Sequence, residues 1–556
     1  MPSVFARPNK FNLSHTNVLT CDMGKLVPFL TQEVLPGDEF RIKTDAMVRL
    51  APMLAPIFGE VDFYTHYFFV PNRLVWDNWE KFITHGLETG SDSSVKPYLK
   101  VSDSSTLSYI GGVGGLLDYL DYPVGDSAGV NGASVSSVIG VRFDSMPVRV
   151  YNKIYNDWYR SEFLQNERKT YTGDGQCLIG SSSTSASNFE DCSLATRCWP
   201  RDYTTSALPF TQLGSPVTIG IGATAPVVGN GKVLTFTDGT QSNIQMGTYT
   251  NPSPLLNVIE PSTGNAGEDV GHARGTAMSN TGTLLGLSTD STKSGLVADL
   301  SQASAVTIND LRTAFQLQRI LERKARSGNR YVEYLASSFG VRSPDARLQR
   351  AEFLGGGKSP VMISEVLQTS AATQSSPQGN MSGHGFGASR SFSFSKAFTE
   401  HGYIMGILSI MPKASYFQGR KRELCRWSWT DYYQPEFAHL GEQPIFKSEV
   451  VCNSTSAGSD TFDTGDVFGY QPRYEEYRRK LNGVHGDFRT NMAYWHLARV
   501  FSSVPSLNSD YVSCNPSKRI FAAGDQADRP CWVEMFLDIK AIRPMPKKGT
   551  PGFIDH

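Results

Sequence analysis

Between Gly419 and Trp429 the chain reads G-R-K-R-E-L-C-R-W-S-W, four cations beside two Trp. Guanidinium and ammonium groups neutralise phosphate, and an indole face can stack an unpaired base. That combination suits single-stranded nucleic acid. It equally suits a solvated turn whose Trp side chains point into a core. Further cations stand near the two ends: Arg7 and Lys10, then Lys547 and Lys548 in a tail broken by Pro544, Pro546 and Pro551. The candidate nucleic-acid-binding residues are therefore Arg7, Lys10, Arg420, Lys421, Arg422, Arg426, Trp427, Trp429, Lys547 and Lys548. Tyr474–Lys480 (Y-E-E-Y-R-R-K) mixes signs and reads as a surface ion-pair cluster.

Other chemistry finds little support. Gly355-Gly356-Gly357-Lys358 lacks the full G-x4-G-K-[ST] phosphate loop and reads as a flexible turn. No G-x-S-x-G elbow marks a nucleophile. The ten His never fall at metal-ligand spacing. The eight Cys show no C-x2-C pair and are too sparse for a disulfide framework. Three Asn-x-Ser/Thr sequons, at Asn12, Asn380 and Asn453, carry no weight without a secretory signal. The expectation is no catalytic residue, no metal and no cofactor.

The elements that must position the cations are mostly strands. The 556 residues carry 52 Lys plus Arg against 53 Asp plus Glu, a net charge of -1, so any nucleic-acid contact must be a local patch. With 40% hydrophobic and 19% charged residues, a large core is possible. Many Phe and Tyr among frequent Gly and Pro favour strands and turns. No apolar h-region opens the chain. The most apolar stretch, near Tyr403–Met411, falls short of the roughly 18 residues of a membrane span.

Asp38–Leu50 alternates with period two. Phe40, Ile42, Thr44, Ala46, Val48 and Leu50 share one face, as in a half-buried strand. Val61–Val70 is an aromatic strand stopped by Pro71-Asn72. Gly402–Met411 is apolar throughout, as in a strand buried on both faces. Cys531–Ile542 alternates again. Helices are expected over Trp76–His85, over Tyr151–Asn166, from the capping-box-like Thr307 to Gly328, and over Arg330–Phe339. Their aromatic and apolar faces are expected to serve as contacts between subunits. Gly355–Gly357 and Gln368–Gly387 read as loops. Gly220–Leu300 is Gly-rich, with three basic residues, Lys232, Arg274 and Lys293. It is too long for an ordinary loop. Leu311–Arg350 then holds nine basic residues against three acidic ones.

Several stretches resemble the major capsid protein of microviruses, small icosahedral single-stranded DNA bacteriophages, in the gokushovirus-like branch. They include Lys10–His15 (K-F-N-L-S-H), Val34–Asp38 (V-L-P-G-D), Tyr67–Trp76 (Y-F-F-V-P-N-R-L-V-W) and Tyr151–Arg160 (Y-N-K-I-Y-N-D-W-Y-R). Arg201–Pro209 (R-D-Y-T-T-S-A-L-P), Ser343–Arg350 (S-P-D-A-R-L-Q-R), Phe353–Gly357 (F-L-G-G-G) and Arg543–Pro546 (R-P-M-P) continue the match. Gly220–Leu300 matches poorly.

The resemblance implies a mainly β fold, an eight-stranded antiparallel jelly roll with long loop insertions and a few helices. It implies 1–219 as the N-terminal part of the roll and 220–300 as an exterior protrusion near the three-fold axis. Residues 301–556 would form a helical segment and the C-terminal part of the roll. It further implies pentamers and a T=1 icosahedral shell around a circular single-stranded DNA genome on the inner face, assembled in the host bacterial cytoplasm. The implied partners are an internal scaffolding protein, a DNA pilot protein, a small basic packaging protein and a host surface receptor. A carbohydrate-binding or carbohydrate-cleaving β-sandwich is the alternative that strands and turns alone leave open.

Overall fold

Nine strands hydrogen-bond into one antiparallel sheet. They are β1 (Asn9–Asn12), β2 (His15–Cys21), β3 (Val27–Val34), β4 (Glu39–Leu50) and β5 (Val61–Pro71). The rest are β6 (Glu352–Leu367), β7 (Met381–Ala397), β8 (Gly402–Pro412) and β9 (Cys531–Arg543). The computed structural model describes residues 8–84, 94–100, 112–123, 141–179, 186–217, 308–328, 330–345, 349–367, 369, 381–452, 466–523 and 529–547. It adds five short strands between 227 and 298. The spatial order is β1-β9-β4-β7-β6-β5-β8-β3, with β2 also on β9. β1 and β2 follow one another along β9 in unbroken register, Asn12 opposite Lys540 and His15 opposite Leu537. Between them the Ser14 hydroxyl accepts the Ile539 N–H at 3.1 Å. Nine strands thus fill the eight lanes expected of a jelly roll.

The sheet folds over at the β6–β7 hairpin. Glu352–Val361 pairs with β5, whereas Met362–Leu367 pairs with β7. Beyond Phe386, β7 pairs with β4. Two four-lane halves result, and their inner faces meet in one core. Phe40, Ile42, Val48, Val533, Met535 and Ile539 come from one half; Val27, Phe29, Phe63, Tyr67, Ile404 and Ile410 come from the other. Each such side chain contributes about 1.5–3 kcal/mol by leaving water. The period-two patterns of β4 and β9 are seen as strict burial alternation.

The loop reading of Gly355–Gly357 and of 381–387 is corrected: Glu352–Leu367 and Met381–Ala397 are long strands, while 368 and 370–380 lie outside the described residues. Gly355 sits at a bulge with φ +135°, and a Cβ there would lie 2.1 Å from the Phe392 ring. The glycines make room for an aromatic ring inside a sheet rather than for a phosphate.

A second core covers the outer face of the β6–β5–β8–β3 half. Phe68, Val70, Met405 and Ile407 pack there against Trp76 and the helix α1 (Met146–Ile154). This explains why β8 is buried on both faces. α1 starts five residues before the expected helix and gives way to a π-turn over Tyr155–Tyr159, so the helix does not reach Asn166. The Trp76–His85 helix shrinks to Trp79–Ile83. Trp76 and Tyr151 therefore pad the roll's own exterior rather than waiting for a neighbouring subunit. The outer face of the β2–β9–β4–β7 half has no such cover among the described residues; Trp532, Phe536 and Val18 are exposed on it.

The chain divides into two compact units, 1–213 with 322–556, and Gly214–Leu321. In the second unit, Val227–Gly229 pairs with Leu296–Ala298, and Thr235–Thr237 pairs with both Asn243–Gln245 and Gly286–Leu287. The helix α2 (Ile308–Ser327) spans the division and is followed by Gly328 at φ +97°; the expected cap at Thr307 lies outside the described residues. Tyr331–Phe339 is helical and stops at Gly340, φ +69°. No described helix is long and apolar enough to cross a membrane.

Candidate nucleic-acid interface

The Gly419–Trp429 segment lies outside the roll, against the hairpin Glu442–Phe446/Val467–Pro472. That hairpin has its own small core of Tyr203, Ile445, Phe468, Tyr511 and Val512. The segment is pinned at its base. Arg420 N–H donates to the Ser448 carbonyl at 2.9 Å, and Cys452 N–H donates to the Gln418 carbonyl at 2.9 Å. Gly419 passes so close that a Cβ would lie 1.8 Å from the Glu449 carbonyl oxygen.

The cations there divide by what they touch. Arg422 turns inward: its Nη1 donates to the Pro444 carbonyl at 2.6 Å and lies 3.3 Å from Glu449 Oε1. Glu449 also accepts from the Tyr203 hydroxyl at 2.7 Å, and burial raises its carboxyl above the usual range. Arg426 lies over the Tyr477 ring at 4.5 Å and the Tyr432 ring at 5.3 Å. Lys421 is exposed and has no ion pair among the described residues. The Trp side chains face water, Trp427 at 75% and Trp429 at 69% exposure, so they are not core. Asp431 accepts the Trp427 and Ser428 N–H groups at 2.9 and 2.8 Å and fixes this turn. In the Tyr474–Lys480 run, Glu475 pairs with Arg478 and Arg479.

The terminal cations are brought together by the sheet. Lys10 pairs in register with Ile542, and Asn9 Nδ2 donates to the Met545 carbonyl at 2.9 Å. Lys10 and the exposed Lys547 thus sit at the same end of the β1–β9 ladder. Arg7 and Lys548 lie outside the described residues. Sequence reasoning missed the outward cations of β4 and β9, Arg41, Arg49 and Lys540. The period-two pattern put them opposite the core, but only the register shows what they stand beside.

No group of three or more His, Cys, Asp or Glu among the described residues could hold a metal ion. A cleft of about 650 Å³ is lined by Trp199, Arg499, Phe501, Tyr511 and Arg519. Arg519 is spent on the carbonyls of Ala493, His496 and Ala498.

A doubled-over sheet of eight antiparallel lanes, with the first and last strands of the chain paired at one edge, is the jelly roll of icosahedral virus coats and of some lectins. The chain belongs to the phage capsid protein (F protein) family, which matches residues 1–553. It is 36% identical to capsid protein VP1 of Chlamydia phage 1, over 99% of this chain and 96% of that protein. It is 34% identical to capsid protein VP1 of Bdellovibrio phage phiMH2K and 29% to that of Spiroplasma virus 4, with similar coverage. The chain is a major capsid protein, a structural component of the virion that self-assembles into a shell and not an enzyme. The carbohydrate-directed alternative is not favoured.

Proposed function

We propose that this chain forms pentamers and a T=1 icosahedral shell around a circular single-stranded DNA genome, assembled in a bacterial cytoplasm. The observation that supports this most is a family match running from residue 1 to 553, through every lane of the roll. Residues 220–300 would form an exterior protrusion near the three-fold axis and meet the host surface receptor. α2 exposes Ile308, Leu311 and Phe315 at 69%, 39% and 64%, an apolar stripe suited to a contact between copies. An internal scaffolding protein, a DNA pilot protein and a small basic packaging protein would complete assembly. Genome contact is assigned to cations that face solvent, Lys10, Lys421 and Lys547 among them, with Arg420, Arg426, Trp427 and Trp429 flanking Lys421. Arg422 is tied to Glu449 and serves the loop itself.

Electron microscopy of the purified protein, alone and with the scaffolding protein, tests the assembly. Pentamers or closed particles are expected, and a persistent monomer would refute it. Replacing Lys10, Lys421 and Lys547 together by Ala should leave particles intact while lowering DNA content. Unchanged DNA content would remove these three cations from the genome contact.

A further inference from the structure

The open outer face of the β2–β9–β4–β7 half carries an ordered pattern that no single stretch of sequence displays. Residues directly opposite in adjacent strands share a face and lie about 4.5–5.5 Å apart. One such row crosses three strands as Phe386, Arg49 and Trp532. Phe386 is 40% and Trp532 47% exposed. Four residues further along β9 stands Phe536, 47% exposed, beside Thr16. Near the far end, Lys540 opposes Arg41, and Lys10 follows on the neighbouring lane. On β4, β7 and β9 these residues alternate with buried core residues, so the roll holds them rigidly without using them.

The electrostatics on this face differ from those of the Gly419–Trp429 segment. Arg41 and Arg49 are exposed and have no ion pair among the described residues. Lys43 meets Asp45 at 3.7 Å and Lys540 meets Asp538 at 3.3 Å. Such surface pairs are weak enough for a phosphate to displace the carboxylate. Arg49 stands between the Phe386 and Trp532 rings, while the exposed Glu534 separates Trp532 from Phe536 and Asp45 lies opposite Phe536. Ring, guanidinium and ring in one row match the alternating bases and phosphates of an unpaired strand. A double helix would hide its bases from the rings.

We propose that this face is a platform for single-stranded nucleic acid, with Phe386, Trp532 and Phe536 stacking bases and Arg41, Arg49 and Lys10 holding phosphates. It rests on the reading that the shell encloses single-stranded DNA, and it names the surface that meets the strand. Rings and cations play separable parts, so their variants have different signatures.

The test is titration of the purified full-length protein with a labelled poly-dT oligonucleotide at several salt concentrations. Trp532→Ala should weaken binding roughly tenfold and leave the salt slope unchanged. Arg49→Gln should lower the salt slope by about 0.7, one phosphate contact on a single strand. Trp532→Phe should retain most of the affinity. These side chains point away from the core, so thermal melts should match the parent. If Trp532→Ala and Arg49→Gln both bind as the parent while Lys421→Ala or Trp427→Ala weakens binding, the platform is wrong but enclosure of DNA stands. If the parent binds no poly-dT even at low salt, the reading beneath it fails too. If Trp532→Ala binds DNA normally but no longer assembles, the face is a contact between copies and the proposal is overturned.

Discussion

Arg422 and His66 show how neighbours decide what a titratable side chain does. Arg422 carries a charge that reads as available for phosphate, yet its partner is the nearly buried carboxylate of Glu449. Truncating it strands that carboxylate. Arg422→Ala should therefore destabilise the subunit by about 1.5–3 kcal/mol. Glu449→Gln in the same background should recover part of the loss in a urea melt. Additive losses would show that the pair is not coupled. His66 Nδ1 is hydrogen-bonded with the Tyr159 hydroxyl at 2.7 Å, and the ring lies among Tyr64, Phe68, Phe353 and Arg197. Burial, then the Arg197 charge, pushes its pKa down to about 4. Above pH 6.5 the ring is neutral in both folded and unfolded chains. As pH falls from 6.5 toward 4 the unfolded chain takes up a proton that the fold refuses. Stability from this group then drops by up to about 1.4 kcal/mol per pH unit, and levels off below 4. The stability difference between the parent and His66→Gln should shrink across that window; a constant difference would contradict the assignment.

At the scale of elements, β6 and β7 carry the lesson. Their Gly and Ser content reads as loop because small residues are poor strand formers. They nevertheless form the hairpin where the sheet folds over, since bulky neighbours need the space that glycine leaves. Gly355→Ala must displace the Phe392 ring at a backbone angle that L-residues rarely adopt. The expected cost is roughly 1–3 kcal/mol, seen as a lower denaturant midpoint with unchanged slope. The helix that begins at Met146 teaches the reverse. Its aromatic stripe was visible in the sequence, but its start depends on the outer face of β5 and β8 being there to cover. Ile539→Ala, deep between the two halves, should cost about 2–5 kcal/mol.

At the scale of the whole molecule, the two units predict modular behaviour. Val227–Gly229 and Leu296–Ala298 pair with each other, so the chain between them leaves and returns at one place. Replacing 230–295 by a short Gly-Ser turn should leave the roll folded, with the parent's near-ultraviolet spectrum and particle assembly. Host attachment is then expected to fall. Loss of the fold itself would show that the insertion is part of the core rather than an addition to it. The ladder of β9 with β1, β2 and β4 ties the first residues to the last, so removal of 531–547 should abolish folding outright.

The sequence by itself determined the alternating strands β4 and β9, the doubly buried β8 and the odd composition of the insertion. Each is a local pattern, because burial on one face writes period two directly into neighbouring residues. It also determined the family, since long matching stretches survive wherever the roll constrains them. The tertiary structure alone decided which cations stand free. Arg422 and Lys421 are adjacent in sequence, and only packing turns one toward Glu449 and the other toward water. It alone decided that Phe386, Arg49 and Trp532 form one row. Those three come from distant parts of the chain, and strand register, set by the whole core, is what places them side by side.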